Sequence, residues 1–242
     1  MLSFQHQGSH MTKTIKLVTT VAMQGAIAVL TDEFTKGTGY GIEMEFGPPS
    51  AVVDMMRQGM AADVVISTPE GIASLAKEGT VDGASAKPVA RMIMGLAVGL
   101  NDPKPDITTV DGFKRALLDT KSIIYADPAT GSPSAAHFIK VLDKLGIAAD
   151  MQKKTTTRAG VVAVAVASGE CAMAVQQLAE LKLVEGVHVL GPFPDALQNI
   201  MPLSAAIHTG SSAKEAAAVL IALLASPRAQ PVMEKAGLLA AV

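Results

Sequence analysis

Tryptophan is absent from this chain, cysteine occurs once, and aromatic residues make up only 3% of it. A single cysteine, Cys171, excludes an intramolecular disulfide and any cysteine-rich metal site. It lies in the apolar run Cys171-Ala172-Met173-Ala174-Val175 and reads as a small buried hydrophobe. The five histidines are too scattered for a zinc motif, so no metal or cofactor is expected. Charge is scarce as well: charged residues are 17% of the chain and the net charge is −2, with no basic stripe to suggest nucleic acid. Long apolar runs are missing. No stretch reaches the ~18–20 uninterrupted apolar residues of a membrane span, and residues 161–167 and 216–225 read as buried helix. There is also no Walker-type phosphate loop, dinucleotide fingerprint or Gly-x-Ser-x-Gly elbow.

What remains is a chain of 242 residues, 49% of them hydrophobic. That length suits one large domain or two lobes of roughly 100–150 residues each, and the composition argues against disorder. The spacing of Met55, Met56 and Met60 puts at least two on one helical face, as core packing requires. Residues 1–11 are polar, and Gly8-Ser9-His10-Met11 reads as an expression-tag remnant with Met11 as the start. Two locations stay open: periplasmic if the chain is a mature form, cytoplasmic if Met11 is the native start.

Short apolar runs alternate with helical patterns, which predicts an α/β fold with largely parallel strands. Strands are expected over 15–19, 42–46, 64–66, 122–126, 187–190 and 202–207, with another starting at Cys171. Helices are expected over 23–36, 51–58, from Thr68-Pro69-Glu70 to near Gly79, after Val110-Asp111-Gly112, over 133–146 and 161–168, with a final pair from about Ser212. A short helix is expected to contain Gln176, Gln177 and Glu180, and residues 155–160 read as a polar loop. Two long apolar segments, 91–100 and 199–207, read as crossovers between lobes. The expected division is 12–94 with 204–242 as the first lobe and 95–203 as the second.

Chemistry concentrates at Asp127-Pro128-Ala129-Thr130-Gly131-Ser132-Pro133-Ser134, between a strand and a helix. Ser132 is a natural N-cap and Pro133 fits the first helical position, where its missing N–H costs nothing. Thr130 and Ser134 add hydroxyls, and Gly131 lets the backbone come close to a ligand. Free N–H groups at a helix start, with the positive end of its dipole behind them, make an anion site. Other strand-to-helix turns rich in Ser, Thr, Gly or Pro lie at 19–24, 47–50 and 155–160. Their recurrence predicts a cleft between lobes that holds an oxyanion or carboxylate.

The order of elements, together with Ala61-Ala62-Asp63-Val64-Val65-Ile66-Ser67, Asp127-Pro128 and the closing Ser226-Pro227-Arg228-Ala229-Gln230…Gly237, resembles the molybdate-binding proteins of ABC transporters. The resemblance covers residues 12 onward and implies a two-lobed type 2 periplasmic binding-protein fold with the ligand between lobes and a permease as partner. It implies ligand contacts at Thr19, Thr20, Ala22 and Met23, at Pro49 and Ser50, at Thr130, Gly131, Ser132 and Ser134, and at Arg158, Gln176 and Gln177. The chain departs from that family where its first loop lacks serines, where the family's serine-rich second loop is here Pro48-Pro49-Ser50, and where Gln176-Gln177 stands for a tyrosine. Arg158 departs further, since a guanidinium suits a planar carboxylate better than a metal oxyanion. A surface arginine is the other reading of that residue. Asp127 to Ser134, Gln176-Gln177-Leu178-Ala179-Glu180 and residues 191–198 are similar to the aconitate isomerase branch of the same superfamily.

The expected function is therefore a solute-binding protein that closes on a small anion, a carboxylate rather than molybdate. The alternative is a cofactor-independent isomerase that moves an allylic proton. Such a shift needs a base within hydrogen-bond reach of an acidic C–H and donors for the developing dienolate. His137 and Glu180 are the candidate bases. His137 lies one turn into the helix after the anion loop and faces either the cleft or the core; Glu170 is a further carboxylate, and Arg91 and His208 flank the crossovers.

Overall fold

Two mixed sheets, each covered by helices on both faces, account for the alternating pattern; the computed structural model describes residues 13–241. The expected tag remnant at residues 1–11 lies outside the described residues. The chain begins with β1 (Lys13–Thr19), a short turn at Val21–Met23 and α1 (Gln24–Thr38). Next come β2 (Tyr40–Phe46), α2 (Pro49–Arg57), β3 (Val64–Ser67), α3 (Pro69–Lys77) and β4 (Val81–Met92). β5 (Met94–Gly99) opens the second sheet, followed by α4 (Val110–Asp119), β6 (Ile123–Ala126), α5 (Pro133–Leu145), α6 (Ala148–Gln152) and β7 (Thr155–Arg158). α7 (Ala163–Ala167), β8 (Met173–Gln177), α8 (Leu178–Leu181) and β9 (Val187–Pro192) complete that lobe. The chain then returns through β10 (Met201–His208), α9 (Lys214–Leu224), α10 (Gln230–Ala236) and β11 (Leu239–Ala240).

The first sheet runs β11-β4-β10-β3-β1-β2 and the second β7-β6-β8-β5-β9. Pairings of β1 with β2 and β3, and of β6 with β7 and β8, are parallel. The strands that carry the chain between lobes, β4, β5, β9 and β10, make antiparallel pairs. Continuous apolar strands follow from burial on both faces. In β1, Leu17 packs with Ile27, Phe34 and Leu220, while the next residue, Val18, packs with Val52, Met56 and Leu75. In β6, Ile123 meets Phe113 and Phe138, while Ile124 meets Val162 and Val166. Cys171 is buried among the latter group.

The expected crossover at 91–100 is two strands broken at Ile93, and β4 extends back to Val81. Gln198 ties the two crossings together: its Oε1 accepts from the Met94 N–H at 2.8 Å and its Nε2 donates to the Met94 carbonyl at 3.1 Å. Two local expectations are corrected. Residues 155–158 form an edge strand rather than a loop, because β-branched threonines suit an exposed strand paired on one side. Gln176 and Gln177 end β8 rather than sit in a helix, and α8 begins only at Leu178.

Candidate functional site

The C-terminal ends of β1, β2, β6 and β8 and the starts of α2 and α5 converge on a cleft of about 180 Å³ between the lobes. From the first lobe it is lined by Thr20, Val21, Gly47, Pro48, Pro49 and Met92. The second lobe supplies Ala126, Thr130, residues 132–134, residues 159–161, Gln176, Gln177 and Glu180. A larger cavity of about 670 Å³ lies at the opposite ends of the second sheet's strands, beside charges of both signs such as Asp102, Lys104, Arg115 and Asp119. It contains none of the residues that the sequence singled out. The smaller cleft sits where open α/β sheets place ligands, beyond strand C-termini.

Both helix starts carry proline at their first position and neither has a side-chain cap. The first i→i−4 bonds are Val52 N–H to Pro48 and Ala136 N–H to Ser132. The N–H groups of Ser50, Ala51, Ser134 and Ala135 precede those bonds and belong to the unsatisfied first turn. Ser132 therefore does not cap as expected: its hydroxyl lies 2.9 Å from the Ser134 hydroxyl instead. Thr130 donates its hydroxyl to the Asp127 carbonyl, and Asp127 Oδ1 accepts from the Ala129 N–H, so this loop is held rigidly by its own atoms. Gly131 adopts φ +70°, and a Cβ there would lie 3.5 Å from Ser50 Oγ of the other lobe. Ser50 is exposed, and neither it nor Gly131 is among the residues lining the cleft.

The adjacent glutamines differ in what they do. Gln176 Oε1 accepts from the Val162 N–H at 2.9 Å and its Nε2 donates to the Gly160 carbonyl at 2.9 Å, clamping the turn that walls the cleft. Gln177 is 5% exposed, and its Oε1 has no hydrogen-bond partner. Thr19 is fully buried with an unpartnered hydroxyl but does not line the cleft, while the Thr20 hydroxyl approaches the Met92 sulfur at 4.0 Å.

Among the described residues, Glu180 is the single ionisable side chain lining the cleft. Burial pushes its carboxyl from 4.5 up to about 8. Desolvation disfavours the charged form, and no neighbouring cation offsets it. A carboxyl in that range can both accept and give a proton near neutral pH.

Other expected site residues lie elsewhere. Arg158 is exposed at the end of the edge strand β7, where one nitrogen, Nη2, donates to both oxygens of Glu170 at 2.6 and 2.8 Å. That hydrogen bond holds the guanidinium above its ordinary value. Its carboxylate partner in this structure is Glu170, twelve residues on, and it is not among the residues lining the cleft. His137 Nε2 bonds the Leu197 carbonyl at 2.8 Å, a structural contact outside the cleft lining. Ala22 and Met23 are fully buried against the first sheet and present no side chain to the cleft. Arg91 donates to the Ala240 carbonyl, and His208 Nδ1 accepts from the Gly210 N–H. Val21, Ala159 and Gly160 fall within turns expected to face the cleft, whereas Met92, Ala126 and Val161 were not expected as cleft walls; Met92 carried a signal, since it falls within the segment read as a crossover.

Two α/β lobes joined by two crossings, with helix starts facing each other over a small cleft, define the type 2 periplasmic binding-protein class. Within it, the chain belongs to the family described as bacterial extracellular solute-binding protein, whose profile matches residues 15–239. It is 31% identical over 232 residues to an aconitate isomerase from a Pseudomonas species, spanning 93% of this chain and 87% of that relative. Among solved structures, it is similar to the periplasmic molybdate-binding protein of Azotobacter vinelandii, with a TM-score of 0.75, 20% identity and coverage of 93% and 98% of the two chains. It is also similar to the substrate-binding domain of a putative molybdenum ABC transporter from Clostridium difficile, with a TM-score of 0.72, 16% identity and coverage of 94% and 98%. No helix among the described residues is long and apolar enough to cross a membrane.

Proposed function

We propose that this protein binds a small unsaturated di- or tricarboxylic acid in the interlobe cleft and isomerises it by an allylic proton shift. The observation that carries this reading is Glu180, a desolvated carboxyl alone among donors. A cleft evolved only to hold an anion gains nothing from an acidic side chain inside it. A cleft that moves a proton needs one. Ionised Glu180 takes a proton from the carbon next to the double bond, and the electron pair delocalises into a dienolate whose charge is met by the N–H groups at the starts of α2 and α5. The protonated carboxyl returns the proton to the far end of the allylic system, and the double bond has moved by one position. The relative of known activity supports the substrate class, since it is an aconitate isomerase of similar length.

The second reading, delivery of the same anion to a membrane permease, is supported by the family description and uses the same cleft without turnover. A thermal-shift panel of molybdate, sulfate and di- and tricarboxylates separates ligand classes. A ligand at 100 times its dissociation constant stabilises by about 2.7 kcal/mol. Each carboxylate that shifts the melt is then incubated with the protein and its isomers are separated. Conversion supports the isomerase; a melt shifted only by metal oxyanions overturns the carboxylate reading.

A further inference from the structure

Among the described residues, the cleft lining holds hydroxyl and backbone N–H donors but no lysine, arginine or histidine, so an anion there is held by those neutral donors. Glu180 lies in that same lining, and Gln177 Oε1 adds a buried partial negative charge with no donor to offset it. Burial is the one cause acting on Glu180, and no charged group of the elements packed on α8 offsets it. β5, β8 and the turn at Val21–Met23 contain no titratable side chain, and Gly237, which packs on Leu178 and Ala179, ends α10 with its Glu234 and Lys235. β9 contributes His188, but it pairs opposite Val98, at the other end of β5 from Gly95, which touches Leu178 of α8. Lys182, at the end of α8, turns away and donates to the Lys235 carbonyl. An ionised Glu180 would therefore face a polyanion across a narrow cleft whose described lining holds no cation to offset the repulsion.

We propose that the cleft takes up its polycarboxylate together with one proton, so that Glu180 meets the bound ligand as a neutral acid and donates a hydrogen bond to a ligand carboxylate. This rests on the carboxylate reading above and adds the charge state in which the ligand is recognised. Before any ligand arrives, burial has already moved Glu180 to about 8, and a bound anion moves it further in the same direction. Linkage then fixes the pH dependence. Below that value the proton is already in place and affinity is level. Above it affinity falls toward tenfold per pH unit. Turnover rises over the same interval, because it draws on the ionised form.

The test is titration calorimetry of the full chain with tricarballylate, a saturated tricarboxylate inert to the proton shift and fully ionised above about pH 7. Runs at pH 7 and pH 9, in two buffers of different ionisation heat, read the protons taken up. The expected result is more proton taken up per ligand at pH 9 than at pH 7, with affinity up to about tenfold lower at the higher pH. Glu180→Gln, which keeps a neutral donor of the same shape, is expected to bind with constant affinity across this range. Wild-type affinity that stays level, with equal heats in both buffers, overturns the proposal and leaves the carboxylate reading standing. The proposal also falls if Glu180→Gln retains the wild-type pH slope, since another group then owns the proton. If no polycarboxylate binds at any pH, the carboxylate reading itself fails and this inference with it.

Discussion

Replacing Glu180 with glutamine removes a titrating carboxyl while preserving its shape, and its effect on stability follows from where the group titrates. In the folded chain Glu180 is pushed from 4.5 up to about 8. Between those values the folded state holds a proton that the unfolded state releases. Wild-type stability is thus greatest below the unfolded value and falls as pH rises through the folded one, by at most about 1.4 kcal/mol per pH unit, levelling above about 8. Integrated without relief, the penalty would reach about 5 kcal/mol. The side chain borders a cleft that water enters and is only partly covered. That access reduces the penalty to roughly 2–3 kcal/mol. The variant is therefore expected to match wild type at pH 5 and to exceed it by about 2–3 kcal/mol at pH 9, or roughly 4–12 °C in melting temperature for a chain of this size. Other titrating groups contribute equally to both proteins, so the difference isolates Glu180. Urea unfolding followed by far-ultraviolet circular dichroism is the assay, because the chain has no tryptophan to report by fluorescence. A difference between the two proteins that does not change from pH 5 to pH 9 would refute the claim that this carboxyl is desolvated.

Arg158→Ala is expected to leave tricarballylate affinity within about twofold, since its guanidinium is exposed and engaged with Glu170; a tenfold loss in calorimetry would return Arg158 to the cleft. Gln176→Leu strands the Val162 N–H and the Gly160 carbonyl, and is expected to cost roughly 2–4 kcal/mol in urea unfolding. Stability within about 0.5 kcal/mol of wild type would show that the clamp is dispensable. Gly131→Ala forces a side chain into φ +70° at the point where the lobes meet, and is expected to destabilise by about 1 kcal/mol and to weaken ligand binding. Unchanged stability and affinity would show that the left-handed turn is not required.

Most of the scaffold was legible because both faces of both sheets are buried, so strands such as β1, β3 and β6 appear as short apolar runs with turn residues at their ends. Thr68 is also a true cap, its side chain accepting from the Gly71 N–H. The strands that escaped are the polar ones. β7 is a row of exposed threonines at a sheet edge, and the first part of β4, with Gly83, Ser85 and Pro88, is recruited by pairing with β10 across register shifts. Neither carries a hydrophobic period. In the site, the helix starts at Pro49 and Pro133 could be read locally, because proline and its neighbours set them. Partner choice could not. Whether Arg158 meets a ligand or Glu170 depends on how α7 turns the chain back, and whether Gln176 faces a ligand or the Gly160 carbonyl depends on how β8 ends. Likewise, Glu180 and His137 both stood as candidate bases. Only tertiary packing puts one in the cleft and ties the other to the Leu197 carbonyl.

The central claim, that Glu180 moves a proton on a carboxylate held between the lobes, is tested most directly by proton NMR of trans-aconitate incubated with wild type and with Glu180→Gln. The account predicts that wild type converts it to the cis isomer, faster at pH 8 than at pH 6.5, while the variant binds the acid and leaves it unchanged. A wild-type protein that binds aconitate and returns it unaltered, or a Glu180→Gln variant that isomerises it at the wild-type rate, would contradict it.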